Sequence, residues 1–88
     1  MTMNKIQTIV KFTKIEEALS YRDFASTLEK SIKQGGVSHQ TVADWVDGKY
    51  VPRIGTILQI IRYSEAGTWE RRFAELIEGA LLEVWGQK

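Results

Sequence analysis

Apolar side chains recur every three or four residues along most of the chain, which is the period expected of amphipathic α-helices. The period is broken at Gly35-Gly36, Gly48 and Pro52, where turn-forming residues separate one element from the next. The chain contains no internal repeat and no low-complexity segment. The pattern predicts an all-α fold of about five short helices, in a single domain over residues 1–88.

The most sharply bounded element is a short helix predicted between Ser38 and Gly48. Ser38 has the hydroxyl of an N-cap residue, and Gly48 supplies the left-handed conformation that commonly ends a helix. Val37 and Val42 occupy the two positions of a hydrophobic staple around the N-cap. The helical period gives an apolar face with Val42, Trp45 and Val46, and a polar face with His39, Gln40, Ala43, Asp44 and Asp47. Trp45 is predicted to be a core residue.

Another helix is predicted to begin after Ser20, a favoured N-cap residue, with Asp23 in the first turn where the helix dipole favours an acid. Its apolar positions follow the helical period: Tyr21, Phe24, Ala25, Leu28 and Ile32. Because the period continues to Ile32, we expect this helix to run on until Gly35 or Gly36.

The N-terminal segment fits more than one structure. Helical spacing predicts a helix running toward Leu19, with four residues on its inner face: Ile6, Ile9, Val10 and Thr13. Residues 8–13 are also rich in β-branched side chains, which favour an extended strand. Thr13 and Glu16 form a capping-box pattern, which would start a shorter helix at Thr13.

Two further helices are predicted after Pro52. The fourth carries an apolar stripe of Ile54, Ile57, Leu58 and Ile61. Gly67 follows its end, and the fifth helix runs from Thr68 to about Trp85.

The apolar positions of the fifth helix span roughly 180° of its circumference, whereas packing on one core requires a stripe of only ~100° or somewhat more. One interpretation places the surplus in a homodimer interface with four candidate anchors: Trp69, Leu81, Val84 and Trp85. The other buries the helix deeply in the core of its own chain. Gly79 costs ~1 kcal/mol relative to alanine in a helix interior; it either admits a second helix closely or is simply tolerated.

Four segments in this order resemble the lambda-repressor/Cro-like (XRE-like) helix-turn-helix family: Phe24-Ala25-x-x-Leu28, Gly36-Val37-Ser38, Gln40-Thr41-Val42-x-x-Trp45 and Asp47-Gly48-Lys49-x-x-Pro52. In that family they correspond to the second helix, the turn, the third or recognition helix, and the loop after it. The resemblance covers roughly residues 20–63 and rests on the ordered set rather than on any one segment. It implies a lambda-repressor-like domain and favours a helix in the N-terminal segment.

Two features depart from the family pattern. Seven residues, Glu29 to Gly35, lie between Leu28 and the turn glycine, where the family has none. Seven residues make nearly two helical turns and keep the apolar face in phase, so we predict an extended second helix. Arg53 stands where the family usually has a small capping residue; it is unable to cap but is placed to reach a phosphate.

The resemblance implies that the third helix, about residues 38–46, enters the major groove of double-stranded DNA. It puts base readers at His39, Gln40, Ala43 and Asp44. Glutamine pairs with adenine, alanine suits a thymine methyl group, and aspartate accepts from cytosine. Phosphate contacts are expected from residues flanking this helix: Thr41, Lys49, Tyr50 and Arg53. Asp44 and Asp47 repel phosphate unless they face base donors or stay at the rim.

The net charge of +1 is low for a nucleic-acid-binding protein, but its distribution is uneven. Residues 1–64 hold nine Lys and Arg against six Asp and Glu, a net charge of +3. Residues 65–88 hold three against five, a net charge of −2. A basic body with an acidic last helix suits DNA contact by the body, although random scatter of surface charge would give the same values.

The residue types present argue against catalysis and metal binding. The chain has no cysteine and one histidine, His39, so a catalytic triad or a metal site lacks most of the side chains it needs. We expect no enzyme activity, no cofactor and no metal. No apolar run approaches the ~20 residues of a membrane span, and residues 1–14 do not resemble a secretory signal. These features predict a cytoplasmic protein with no membrane partner.

The sequence therefore predicts a prokaryotic or phage transcription regulator that binds DNA as a homodimer through its C-terminal helix. No small-molecule ligand is expected. Dimerisation would give a two-fold symmetric operator with half-sites ~10–10.5 bp apart, or a multiple of that. Two alternatives stay open: a protein-interaction module on the same fold, docking through the apolar last helix, and a DNA-binding accessory factor of a phage or mobile element.

Overall fold

The structure is a computed structural model that describes the backbone of residues 2–85 and the side chains of residues 5–83. This part of the chain contains five helices. They are α1 (Thr2–Glu16), α2 (Tyr21–Glu29), α3 (His39–Asp47), α4 (Ile54–Tyr63) and α5 (Trp69–Trp85). The described residues contain no strand. The predicted all-α fold of about five helices is confirmed.

The N-terminal segment is one continuous helix, so the extended strand and the short helix starting at Thr13 are both wrong. Thr13 lies near the end of α1, and its hydroxyl donates to the Ile9 carbonyl at 2.8 Å. That bond satisfies the threonine within the helix rather than capping a new one. Ile6 and Val10 are buried, as the helical spacing predicted.

Helix α2 ends at Glu29, which corrects the predicted extension to Gly35 or Gly36. The chain tightens after Thr27 through backbone bonds between residues three apart, including Ser31 N–H to the Leu28 carbonyl at 3.0 Å. Bonds of this spacing are typical of the last turn of a helix. Ser20 does cap the start of α2, with its hydroxyl accepting from Asp23 N–H at 3.0 Å.

A side chain from α4 holds the segment that was expected to be helical. Gln59 Oε1 accepts from the backbone N–H groups of Lys33 at 2.7 Å and Gln34 at 3.0 Å. Gln59 Nε2 donates to the Gln34 carbonyl at 3.1 Å. These bonds satisfy backbone groups that further helical turns would otherwise satisfy. Ile32 still packs against the core from this connection, which explains why its spacing suggested a longer helix.

The core is built around three aromatic side chains from different helices. Phe24 of α2 lies edge-on to Phe73 of α5, with ring centroids 5.1 Å apart. Trp45 of α3 stacks on the same Phe73 ring, with ring centroids 6.3 Å apart and an interplanar angle of 26°. All three are buried. Since α5 also packs against α1 and α4, this cluster joins α3 to the rest of the chain.

The apolar stripe of α4 differs from the prediction at one position. Ile57 and Ile60 are fully buried, and Ile54 and Ile61 pack partly against the core. Leu58, assigned to the stripe, remains 46% exposed. The buried face is centred on Ile57 and Ile60, which places Leu58 at its edge.

Two of the four candidate dimer anchors are used within the chain. Leu81 is only 3% exposed. Trp69 packs edge-on against Phe24, with centroids 5.0 Å apart. These two contacts favour the interpretation in which α5 is deeply embedded in its own core. The side chains of the other two anchors, Val84 and Trp85, lie outside the described residues.

Replacing Trp45 with alanine should lower the free energy of unfolding by ~3–5 kcal/mol, because it leaves a cavity between α3 and α5. Urea denaturation followed by circular dichroism measures the change. Tyr50→Ala is the matched control, since Tyr50 is an aromatic residue that is 67% exposed and should cost under about 0.5 kcal/mol. Equal losses for the two variants would contradict a core role for Trp45.

Candidate nucleic-acid interface

The start of α3 is fixed by reciprocal bonds between Ser38 and Thr41. Ser38 Oγ accepts from Thr41 N–H at 3.2 Å, and Thr41 Oγ1 accepts from Ser38 N–H at 3.4 Å. This is a capping box, which satisfies two backbone donors at the helix start. Val37 and Val42, the predicted staple pair, are both buried. The predicted N-cap is therefore confirmed, and the Thr41 hydroxyl expected to contact phosphate already serves the cap.

The end of α3 is fixed by a glycine and by a side chain from α1. Gly48 adopts φ +77°, the predicted left-handed cap, and donates to the Trp45 carbonyl at 3.2 Å. Gln7 Nε2 donates to the Val46 carbonyl at 3.1 Å. A Cβ on Gly48 would lie 2.8 Å from Gln7 Nε2. The glycine is therefore needed both for its backbone conformation and for the close approach of Gln7.

The predicted base-reading residues share one accessible face of α3. His39, Gln40 and Asp47 are exposed, whereas Ala43 and Asp44 are partly exposed. Val42 and Trp45, on the opposite face, are buried. Burial of one face leaves the other turned outward, so the rigid core determines which side chains of α3 a partner meets.

Two of these residues are joined by a hydrogen bond. Gln40 Nε2 donates to Asp44 Oδ1 at 3.1 Å, across one turn of the helix. This bond uses one amide hydrogen of Gln40 and leaves its carbonyl oxygen and second hydrogen for other partners. It also gives the Asp44 carboxylate a donor within its own helix.

A groove of about 690 Å³ lies beside α3, and it gathers several residues that the sequence placed at the interface. Its lining includes Thr41, Asp44, Tyr50 and Arg53, together with Gly35 and Gly36. Lys49 is exposed but is not part of this lining. The structure thus brings most of the predicted phosphate-contacting residues to one side of the helix.

A second groove, of about 370 Å³, lies between α2 and the start of α3. Arg22, Ser26 and Glu29 of α2 line it together with Ser38 and His39. Arg22 is exposed, and it was not among the residues predicted from the sequence to contact DNA. The predicted N-cap at Ser20 already placed Arg22 in the first turn of α2.

Charges of both signs surround the polar face of α3. Asp44 and Asp47 are on the helix itself, whereas the exposed cations stand off it: Arg22 in α2, and Lys49 and Arg53 after the helix end. An anionic partner that meets the flanks is therefore attracted, and one that meets the helix centre is repelled. This arrangement suits a ligand with negative edges and hydrogen-bonding groups between them.

Replacing Gly48 with alanine should lower the free energy of unfolding by ~1–2 kcal/mol, because the left-handed conformation crowds a Cβ. The loss should shrink in a Gln7→Ala background, where the 2.8 Å contact with Gln7 Nε2 is absent. Thermal or urea unfolding of the four chains in this double-mutant cycle measures the coupling. Gly55→Ala is the control, since a Cβ there meets no atom within 4 Å. Strictly additive changes would contradict the close contact of Gln7 with Gly48.

Neither metal ligation nor membrane insertion is indicated by the described part of the chain. No group of three His, Asp or Glu side chains among these residues is arranged to hold a metal ion, and none of the described helices combines the length and apolar character of a membrane span. Comparison of the chain with protein-family models, curated proteins and solved structures found no match. The likeness to XRE-like proteins therefore rests on the ordered residues of 20–63 alone.

Proposed function

We propose that this chain binds double-stranded DNA in a sequence-specific manner, as a transcription regulator, with α3 in the major groove. The observation that carries the proposal is the construction of α3. Its apolar face is anchored by Trp45, both of its ends are capped, and its polar face is accessible. The major groove admits one α-helix and presents donors and acceptors that such side chains read.

Gln40 is the main base-reading residue of this proposal, and Asp44 is its positioning residue. The bond from Gln40 Nε2 to Asp44 Oδ1 at 3.1 Å restrains the amide. The free carbonyl oxygen then accepts from adenine N6, and the second amide hydrogen donates to adenine N7. We propose this role for Asp44 ahead of direct reading of cytosine, although its second carboxylate oxygen, Oδ2, is still able to accept from a base donor. His39 and Ala43 contribute on the same face.

Phosphate contacts come from the exposed groups on the two flanks of α3. Lys49, Tyr50 and Arg53 follow the helix, and Arg22 stands on the α2 side. Such contacts set the register of a protein on the duplex but carry no sequence information. The two carboxylates of α3 then lie between the phosphate rows, where base edges offer donors.

Selection of bound duplexes from a random-sequence pool at low salt tests the proposal. We expect a short motif containing adenine, and we expect Gln40→Ala to lose the preference at that base pair. A bidentate contact accounts for ~1–3 kcal/mol of discrimination. A purified protein that neither enriches a motif nor retains bulk duplex DNA would contradict the proposal.

Replacing Asp44 with alanine separates its two possible roles. As a positioning residue, Asp44→Ala should relax specificity at the same base pair as Gln40→Ala, and the double variant should lose little more. As a reader of cytosine, it would relax a different base pair. Asp47→Ala is the matched control, because it also removes one carboxylate from α3 and should leave the preference at the Gln40 position intact. Competition binding with single-base-pair variants of the selected site measures these effects.

The second candidate is a protein-interaction module on the same fold. The two carboxylates at Asp44 and Asp47 favour it, because they give the accessible face of α3 a negative centre that suits a basic partner. Absence of both enrichment and bulk retention in the selection experiment would favour this function over DNA binding.

A further inference from the structure

Two cationic side chains from different parts of the chain meet at one exposed tyrosine. Lys33, in the connection between α2 and α3, places Nζ 5.1 Å from the ring centroid of Tyr63, the last residue of α4. Arg62 of α4 places Cζ 5.8 Å from the same centroid. We call these three residues the basic cluster, and all of them are exposed.

No carboxylate among the described side chains is in ion-pair contact with the basic cluster. Within residues 5–83 the ion pairs join other side chains, and neither Lys33 nor Arg62 takes part in one. A tyrosine ring attracts a cation through its negative face but carries no net charge. The ring therefore holds together two positive groups that repel each other. An anion bound at the basic cluster would relieve that repulsion.

Gln59 of α4 fixes the backbone that carries Lys33. Its Oε1 accepts from Lys33 N–H at 2.7 Å and from Gln34 N–H at 3.0 Å, and its Nε2 donates to the Gln34 carbonyl at 3.1 Å. Lys33 is thus held twice, through its backbone by Gln59 and through its ammonium group by the ring of Tyr63. Because the free chain already orders this side chain, less affinity is lost to ordering when an anion binds.

The basic cluster lies at the end of a face of α4 that begins in the groove beside α3. Thr56, Gln59 and Tyr63 are spaced three and four residues apart and therefore share one face of the helix. Thr56 lines the groove of about 690 Å³ together with Gly35 and Gly36 of the connection. Tyr63 follows seven residues later, ~10 Å along the helix. A partner as large as a duplex, seated against α3 and this groove, has the basic cluster within reach.

We propose that the basic cluster binds phosphate groups of the same DNA duplex whose bases α3 reads. The inference rests on the proposed function and adds a contact outside the XRE-like pattern, since Lys33 belongs to the seven residues, Glu29 to Gly35, that the family lacks. Continuity with the groove beside α3 favours DNA over an acidic protein as the source of the anion. Phosphate contacts carry no sequence information, so the basic cluster raises affinity for every duplex.

The salt dependence of DNA binding tests the proposal, measured by the fluorescence anisotropy of labelled duplexes. We expect Lys33→Ala and Arg62→Ala each to make the slope of log affinity against log salt shallower by about 0.9, because each loses one phosphate contact. At about 0.1 M salt each variant should bind about fivefold to tenfold more weakly. The loss should be equal for the selected site and for a random duplex, with the preference at the Gln40 base pair unchanged.

Arg72→Ala is the matched control, because it also removes one exposed cation, but from α5 and outside the two grooves beside α3. It should keep the wild-type slope. An equal change in the control, or a wild-type slope in both Lys33→Ala and Arg62→Ala, would overturn this inference and leave the proposed function standing. A wild-type chain that binds no duplex would overturn both.

Two substitutions of Tyr63 test whether the ring positions the cations, since neither alters the net charge. Tyr63→Leu removes the ring and should weaken DNA binding about twofold to fivefold, whereas Tyr63→Phe keeps the ring face and should bind like wild type. Urea denaturation establishes that both variants are folded. A leucine variant that binds like wild type, or a phenylalanine variant as weak as the leucine variant, would overturn the role of the ring.

Gln59→Leu tests the support that α4 gives to the connection. Loss of its three bonds should speed hydrogen exchange at the Lys33 and Gln34 amides and weaken binding of any duplex, although the net charge is unchanged. Gln34→Ala is the matched control, since it removes a side-chain amide from the same connection but keeps the backbone groups that Gln59 binds. Unchanged exchange in Gln59→Leu, or faster exchange with unchanged affinity, would overturn the part of Gln59 in DNA binding.

Discussion

The contact between Trp45 of α3 and Phe73 of α5 is the interaction on which the position of α3 and of its accessible polar face depends. The stacked rings, 6.3 Å apart, fix the inner face of a helix of nine residues. An isolated helix of that length is not stable in water. The aromatic cluster and the two caps therefore supply the stability that the short sequence lacks, and they turn the polar side chains outward in a fixed orientation.

The positions of the helix caps were predictable because they depend on residues within one helical turn. The features that were not predicted depend on contacts between residues far apart in the sequence. Ser20, Ser38 and Gly48 act within one helical turn, so the sequence gives their capping roles directly. The connection after α2 is held by Gln59, which is 25 residues away from Gln34. The inward position of Leu81 likewise depends on how α5 is embedded between α1 and α4. The sequence showed that α5 is broadly apolar, but not which part of that surface its own chain covers.

On α3, the sequence predicted which side chains share the accessible face, but it did not predict the hydrogen bond between Gln40 and Asp44. The period of α3 placed His39, Gln40 and Asp44 on one face, and the structure agrees. The bond between Gln40 and Asp44 was not predicted, and it restrains the two side chains as one unit.

Whether α3 binds DNA is tested most directly by titrating the isotope-labelled chain with duplex DNA at low salt and recording the amide chemical shifts by nuclear magnetic resonance. If α3 enters the major groove, the largest changes should fall in residues 36–53, which include α3 and its flanks, with smaller changes at Arg22. Spectra that do not change, or changes that are largest in α1 and α5, would contradict the assignment of α3 as the DNA-binding element.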